Sequence, residues 1–239
     1  MICGSFWELK SSVNGYAFPV GEELKTQVSF GRLFEPIDDL TFPELKDGLI
    51  PRLKVRLLED GYICWLDRKD IDDKVIFRDS WYPNMLSEKQ IKGCLPKVIN
   101  WIKNASTRKN QYLWGGTLGP NFDCSGLIQS AFASQGIWIP RDAYQQESFS
   151  QNVKVENNNF VNLTLGDLLF FGNSSKCNHV AIYDGENNFW HSSGLEYGHN
   201  GINGDLLKSK SQHSVATYYL SKLRTAGRIV SCHNGTTLA

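Results

Sequence analysis

The sequence lacks an excess of either charge: 25 Lys and Arg stand against 25 Asp and Glu in 239 residues. With no dense basic run either, a polyanion is excluded as the main partner class, and neither nucleic acid nor a membrane surface is expected to bind. No apolar stretch approaches the roughly 20 residues that span a bilayer. The opening residues, MICGSFWELKSSVNGY, lack a basic segment followed by an apolar one, so a cytoplasmic location is expected. Close cysteine pairs are missing as well. Cys3, Cys64, Cys94, Cys124, Cys177 and Cys232 form no CxxC of the zinc or redox type, and free thiols in a reducing compartment are the simplest reading. Neither a cofactor nor a resident metal is expected, and the chain is expected to be a monomer of one large or two small domains.

What is present centres on Tyr112 to Gly136, YLWGGTLGPNFDCSGLIQSAFASQG. Asp123 is a good N-cap, Leu127, Ile128, Ala131 and Phe132 recur at helical spacing, and Gly136 is a natural stop. Cys124 is thereby placed in the first helical turn, where unpaired N–H groups and the positive end of the dipole favour a thiolate. A cysteine in such a place can also be a small buried hydrophobe and nothing more.

Residues 1 to about 80 read as short β-segments. Leu53, Val55 and Leu57 alternate with Lys54, Arg56 and Leu58 before Asp60-Gly61 turns the chain into Tyr62-Ile63-Cys64-Trp65-Leu66, a hairpin signal with Trp65 expected in a barrel core and Tyr62 in its core or rim. A second domain is expected over residues 86–232. Ser87 and Gln90 have capping-box spacing, and Ile91, Leu95, Val98, Ile99 and Ile102 carry a helical stripe that Pro96 interrupts, which predicts two short helices or one kinked near Cys94. After an Asn-rich surface loop through Asn159 come three strong strands, Asp167–Gly172, His179–Asp184 and Asn188–Ser193. Val215–Leu220 and Gly227–Val230 could add edge structure, and the last nine residues read as a frayed tail.

Two histidines fall on those strands. A three-residue loop of Asp184, Gly185 and Glu186 would oppose His179 to His191 directly, on one face. One imidazole could then take the Cys124 proton while the second orients the first. His199, His213 and His233 lie in polar segments and are expected to be solvated. Cys124, His179 and His191 could in principle ligate zinc, but structural sites want four ligands, usually in closely spaced pairs.

The strings YLWGGTLGPNFDCSGLIQSAF, PRDAYQQ, LGDLLFFG, CNHVAIYDG and WHSSG, in that order, closely resemble the NlpC-type bacterial cysteine peptidases that cut peptidoglycan peptides. The resemblance covers about residues 91–230. The hairpin LLEDGYICWL is similar to a strand pair of bacterial SH3-like domains. Together they imply an α+β fold, a papain-like cysteine peptidase domain preceded by a small SH3-like β-barrel. They also point to the γ-D-glutamyl-L-diamino acid endopeptidases that recycle cell-wall peptides. The resemblance makes Cys124 the nucleophile, His179 the general base, His191 its orienting partner, and Tyr112 a hydroxyl donor to the oxyanion. For the substrate it implies Asp142 as receiver of a free L-Ala amine, Tyr62 as the aromatic closing the pocket, and Asp123, Ser125 and Trp114 lining the cleft. Ala143 departs from relatives that carry serine there. Two rival readings keep the sequence features: an amidase or DD-endopeptidase on intact wall, and a non-catalytic protein that binds wall fragments.

Overall fold

The computed structural model describes residues 4–37, 52–155, 159–207 and 214–238. The chain forms two units, 1–83 together with 233–239, and 84–232.

The first unit is built from short strands that break at Gly, Ser and Asp-rich turns. They are β1 (Phe6–Leu9), β2 (Val13–Tyr16), β3 (Leu24–Val28), β4 (Leu33–Pro36), β5 (Leu53–Leu57), β6 (Ile63–Leu66) and β7 (Val75–Arg78), with the one-turn helix α1 (Arg68–Ile71) before β7. The sheet order is β3-β2-β6-β5-β4-β1-β7. β1 takes β7 as its outer partner, so among the described residues the ends of the order do not pair and the strands do not close into the expected barrel. The period-two reading of β5 holds, with Leu53, Val55 and Leu57 buried. On β6 the inward positions belong to Cys64 and Leu66, which leaves Trp65 half-buried on the other face, beside Lys54, rather than in the core. One residue of register decides which face a strand side chain takes. The expected hairpin turn is present, the Leu57 N–H donating to the Tyr62 carbonyl at 2.9 Å.

The C-terminal segment does not fray. His233 and Gly235 are buried in the first unit, and the Arg56 guanidinium donates to the Gly235 carbonyl at 2.8 Å. His233, expected in solvent, accepts the Gly235 N–H at Nδ1. His213 lies outside the described residues.

The second unit opens on α2 (Glu88–Ser106), one helix with Pro96 inside it. Proline removes one i→i−4 bond. The capping box at Ser87 and Gln90 and the buried stripe Ile91, Leu95, Val98, Ile99 and Ile102 outweigh that loss, so the helix is neither split in two nor ended at Pro96. Then follow α3 (Cys124–Ala133), α4 (Ala143–Phe149), β8 (Gln151–Val153), β9 (Leu168–Gly172), β10 (Cys177–Tyr183), β11 (Asn188–Ser193), β12 (Gly201–Leu206), α5 (Val215–Leu220) and β13 (Leu223–Arg228). The six strands form one antiparallel sheet in the order β12-β11-β10-β9-β13-β8. Its two faces are both covered. Leu168, Phe170, Val180 and Ile182 pack with α2 and α3, while Leu169, Phe171, Ala181 and Phe189 pack with α5. Val215–Leu220, whose Val, Thr and Tyr content suggested an edge strand, is a helix. The Ser214 hydroxyl accepts the Thr217 N–H at 3.1 Å, and Ala216 and Tyr219 bury against the sheet. Packing overrides propensity there.

Candidate active site

Cys124 is the first residue of α3, as its spacing predicts. Asp123 is the N-cap, one carboxylate oxygen accepting the Gly126 N–H at 2.6 Å and the other the Gly115 N–H at 2.9 Å. Those two bonds explain the glycines of the motif. Gly115 sits at φ +77°, in the left-handed region, and a Cβ on Gly126 would collide with the Gly116 carbonyl. The loop and the helix start are therefore clasped backbone to backbone.

Sequence reasoning missed the residue that completes the clasp. Arg141 is buried and donates to both Asp123 carboxylate oxygens, at 3.1 and 2.6 Å, and to the Ser125 hydroxyl at 3.0 Å. Asp123 and Ser125, expected to line the substrate cleft, are thus engaged in holding the first turn of α3, and both are buried. Gln146 adds to the same shell, its amide donating to the carbonyls of Ser125 and Pro140.

The histidines meet as expected, by a different route. β10 and β11 pair at Ile182↔Trp190 and Tyr183↔Phe189. Extending that register puts His191 across from Ala181, two residues from His179 rather than opposite it, and still on its face. His179 Nε2 and His191 Nδ1 are 2.7 Å apart. The turn has the expected three residues but is shifted by one, the Asp184 N–H reaching the Asn188 carbonyl at 3.0 Å around Gly185, Glu186 and Asn187, with Gly185 and Asn187 at positive φ.

The chain of hydrogen bonds continues to residues no motif marked. His191 Nε2 lies 2.9 Å from Asp205 Oδ2 on β12, and His199 Nε2 lies 3.0 Å from that same oxygen. His199, expected to be solvated, has 28% of its side chain exposed yet is tied to this carboxylate. A carboxylate only accepts, so the proton between Asp205 and His191 belongs to His191 Nε2. His191 Nδ1 is then an acceptor, and His179 must donate to it from Nε2. That leaves Nδ1 as the one His179 nitrogen free to receive a proton. Asp205 therefore selects the tautomer of a ring two residues away along the chain of bonds.

Tyr219 was missed as well. It stacks on His179 with ring centroids 4.2 Å apart and meets His191 edge-on at 4.8 Å. Burial raises its phenol pKa, and the nearby Cys124 pushes it the same way. The Cys124 sulfur takes a hydrogen bond from the backbone of Val180, the residue after His179. Sulfur, His179 and Tyr219 thus share one neighbourhood. Tyr112, half-buried and bridged to Phe122, also has its phenol pKa raised, first by burial and then by Cys124, so it stays a hydroxyl donor.

Burial works against the thiolate expectation. Cys124 is 6% exposed, and burial, reinforced by Asp123, pushes its thiol up to about 12 despite the N–H groups at the helix start. Burial and then its neighbour His191 hold His179 well below the usual imidazole value of 6.5. Both shifts favour the neutral forms, thiol and imidazole. Burial also lowers His191, against the pull of Asp205. Burial alone would raise Asp205, but the bonds from His191 and His199 turn its shift downward.

Of the remaining candidates, Asp142 occupies the N-cap position of α4 without a side-chain capping bond. Trp114 is 68% exposed. Tyr62 belongs to the first unit, where it joins that unit's core and lies 4.7 Å under the Lys25 ammonium. The possible metal-ligand cluster among the described residues is His191, His199 and Asp205, not the set built on Cys124.

A thiol at a helix start near a hydrogen-bonded histidine pair is an arrangement that can support acyl transfer. Residues 109–220 match the NlpC/P60 family. The chain is 35% identical over 116 residues to the bifunctional muramidase/DL-endopeptidase CwlT of Bacillus subtilis, covering 46% of this chain and 34% of that protein. It is 40% identical over 88 residues to a γ-D-glutamyl-L-lysine dipeptidyl-peptidase of Bacillus cereus, covering 36% and 25%. It is 38% identical over 84 residues to the murein DD-endopeptidase/murein LD-carboxypeptidase MepS of Escherichia coli, covering 35% and 42%. The chain thus spans between 25% and 42% of the length of these relatives. Among solved structures, NlpC2 from Trichomonas vaginalis shares the fold over 95% of this chain and 98% of its own, at TM-score 0.51 and 15% identity. Among the described residues no helix is long and apolar enough to cross a membrane.

Proposed function

We propose that the protein is a cysteine peptidase that hydrolyses the bond between γ-D-Glu and the diamino acid in peptidoglycan-derived peptides bearing a free N-terminal L-Ala. The observation that carries the catalytic part is the chain from Asp205 through His191 to His179, which leaves His179 Nδ1 as the acceptor, one residue from Val180, whose backbone bonds the Cys124 sulfur. As Sγ attacks the γ-D-Glu carbonyl carbon, the thiol proton passes to that nitrogen. The tetrahedral oxyanion is received by the Cys124 N–H and the Tyr112 hydroxyl. His179 then protonates the departing amine, a thioester remains, and water deprotonated by His179 releases L-Ala-D-Glu. No cofactor takes part.

The substrate part rests on the activity printed for the B. cereus relative, with Asp142, at the N-cap position of α4, as the carboxylate that would receive a substrate ammonium group. Short free-amine peptides are products of wall breakdown, and the cytoplasm, where they are recycled, belongs to this proposal. So does an SH3-like ancestry for the first unit. Mass spectrometry on L-Ala-γ-D-Glu-diaminopimelate, its lysine counterpart and their N-acetylated forms tests it. Cleavage confined to the free amines supports the reading, equal cleavage of acetylated peptides removes the amine claim, and no cleavage of any removes the activity. A DD-endopeptidase on intact wall is the second reading, favoured by the match to the E. coli enzyme. Purified cross-linked muropeptides distinguish it.

A further inference from the structure

We propose that His191, His199 and Asp205 form an inhibitory site for a divalent transition-metal ion of the zinc type. Two imidazole nitrogens and one carboxylate oxygen are the donor set such ions prefer. The three donor atoms lie within 4.8 Å of one another. The two nitrogen-to-oxygen edges are 2.9 and 3.0 Å. A tetrahedral ion with bonds of about 2.0–2.1 Å has ligand edges of roughly 3.3 Å, so the two nitrogen-to-oxygen edges need open by only a few tenths of an ångström, with the nitrogen-to-nitrogen edge adjusting to the same value through the His199 loop.

The scaffold holds two of the three ligands in place beforehand. His191 is fully buried on β11, and Asp205 lies on the neighbouring β12 on the same face. His199 closes the set from the loop between those strands, its backbone N–H held by the Ser193 hydroxyl at 2.9 Å. Its partial exposure leaves an open side for entry and for a water as fourth ligand.

Inhibition follows from the same proton arithmetic that makes the site active, and this part rests on the proposed function. A metal ion on His191 Nε2 needs that nitrogen's lone pair, so the His191 proton moves to Nδ1. His191 Nδ1 then donates to His179 Nε2, 2.7 Å away, and His179 must keep its own proton on Nδ1. Each ring still carries one proton, but the nitrogen that should receive the Cys124 proton is already filled. Binding reverses both tautomers and silences the base without touching the sulfur.

The test uses the full chain and zinc ion alone as probe. Equilibrium dialysis is run on the wild type, Cys124→Ser, His199→Ala and His199→Gln, and the rate of Cys124 alkylation by iodoacetamide is followed by peptide-resolved mass spectrometry with and without zinc. The expected result is one ion per chain in the wild type and in Cys124→Ser. Both His199 variants, each lacking a ligand, should bind more weakly by at least the roughly 10–100-fold that loss of an outer-shell partner alone costs. Zinc should slow wild-type alkylation reversibly to chelator, with the same shift in dose for the variants. Loss of binding in Cys124→Ser with full binding in the His199 variants would move the metal to the thiol and overturn the proposal. Absence of binding in the wild type would also overturn it. Neither readout needs a peptide substrate, so failure of the proposed peptidase activity in metal-free protein would be seen separately.

Discussion

Arg32 in the first unit and Arg141 in the second are both buried and both held by carboxylates, yet they serve different ends. Arg32 donates to Glu59 at 3.1 Å and to Asp60 at 2.7 Å, while Glu59 takes the Leu33 N–H and Asp60 the Tyr62 N–H. The cluster ties β4 to the β5–β6 turn, and no catalytic group adjoins it. Arg141 performs the same clasp on Asp123 and Ser125, but the residue between them is Cys124. A buried ion pair is costly to assemble and costly to break. The first unit uses one for a turn, the second to hold the proposed nucleophile. Chemistry comes from what the clasp holds, not from the clasp.

Experiments that break this comparison can be ranked by size. Cys124→Ser should reduce kcat/KM by at least about 10⁴-fold while leaving the melting temperature near that of the wild type. Activity retained in that variant would unseat the nucleophile. Asp205→Asn should lower kcat by about 10²–10⁴-fold with KM little changed, the signature of a positioning residue that sets a tautomer. A rise in KM alone would place Asp205 at the substrate instead. Arg32→Met and Arg141→Met should each destabilise the unit that contains the substitution by about 3–5 kcal/mol in denaturant titrations. Below its melting range only Arg141→Met should change the alkylation rate of Cys124, and equal changes would erase the distinction. Asp142→Asn should raise KM for free-amine peptides about 10–100-fold, the worth of one bond to a charged group, and leave acetylated peptides unaffected.

The smallest effect concerns pH. His179 and His191 are held below 6.5 in the fold, so under that pH the unfolded chain takes up protons the native one refuses. Their contribution is complete above pH 6.5 and lost as pH falls below it, with a slope of up to about 2.7 kcal/mol per pH unit while both resist protonation. Asp205, depressed from 3.8, adds a further loss at still lower pH. At the alkaline end Cys124, raised from 9.0 to about 12, keeps a proton the unfolded chain has released, so stability declines as pH rises through 9.0. Chemical denaturation across pH 4–10, compared with the His179→Gln variant, checks the acid limb.

The Cys124 helix and the strands β9 to β11 were legible because their signals are local: an Asx N-cap, a helical stripe, and β-branched and aromatic runs. Asp205 was not, because GINGDL carries two glycines and little apolar pattern, and its strand exists only through pairing with β11. Tyr219 sat in a segment that reads as strand and folds as helix. Arg141 was in plain view beside Asp142, but nothing in spacing reveals that a buried aspartate 18 residues away would claim it. The C-terminal segment looked frayed because its polar residues dock through backbone groups, Gly235 above all. The electrostatic expectation failed for a related reason, since a helix start favours a thiolate only where burial does not outweigh it.

The tautomers can be read directly. Nitrogen-15 NMR of histidine-labelled, metal-free protein near pH 7 reports which ring nitrogen carries each proton. The chain from Asp205 requires His191 and His179 both protonated at Nε2 with bare Nδ1. A proton on Nδ1 of His179 would contradict it.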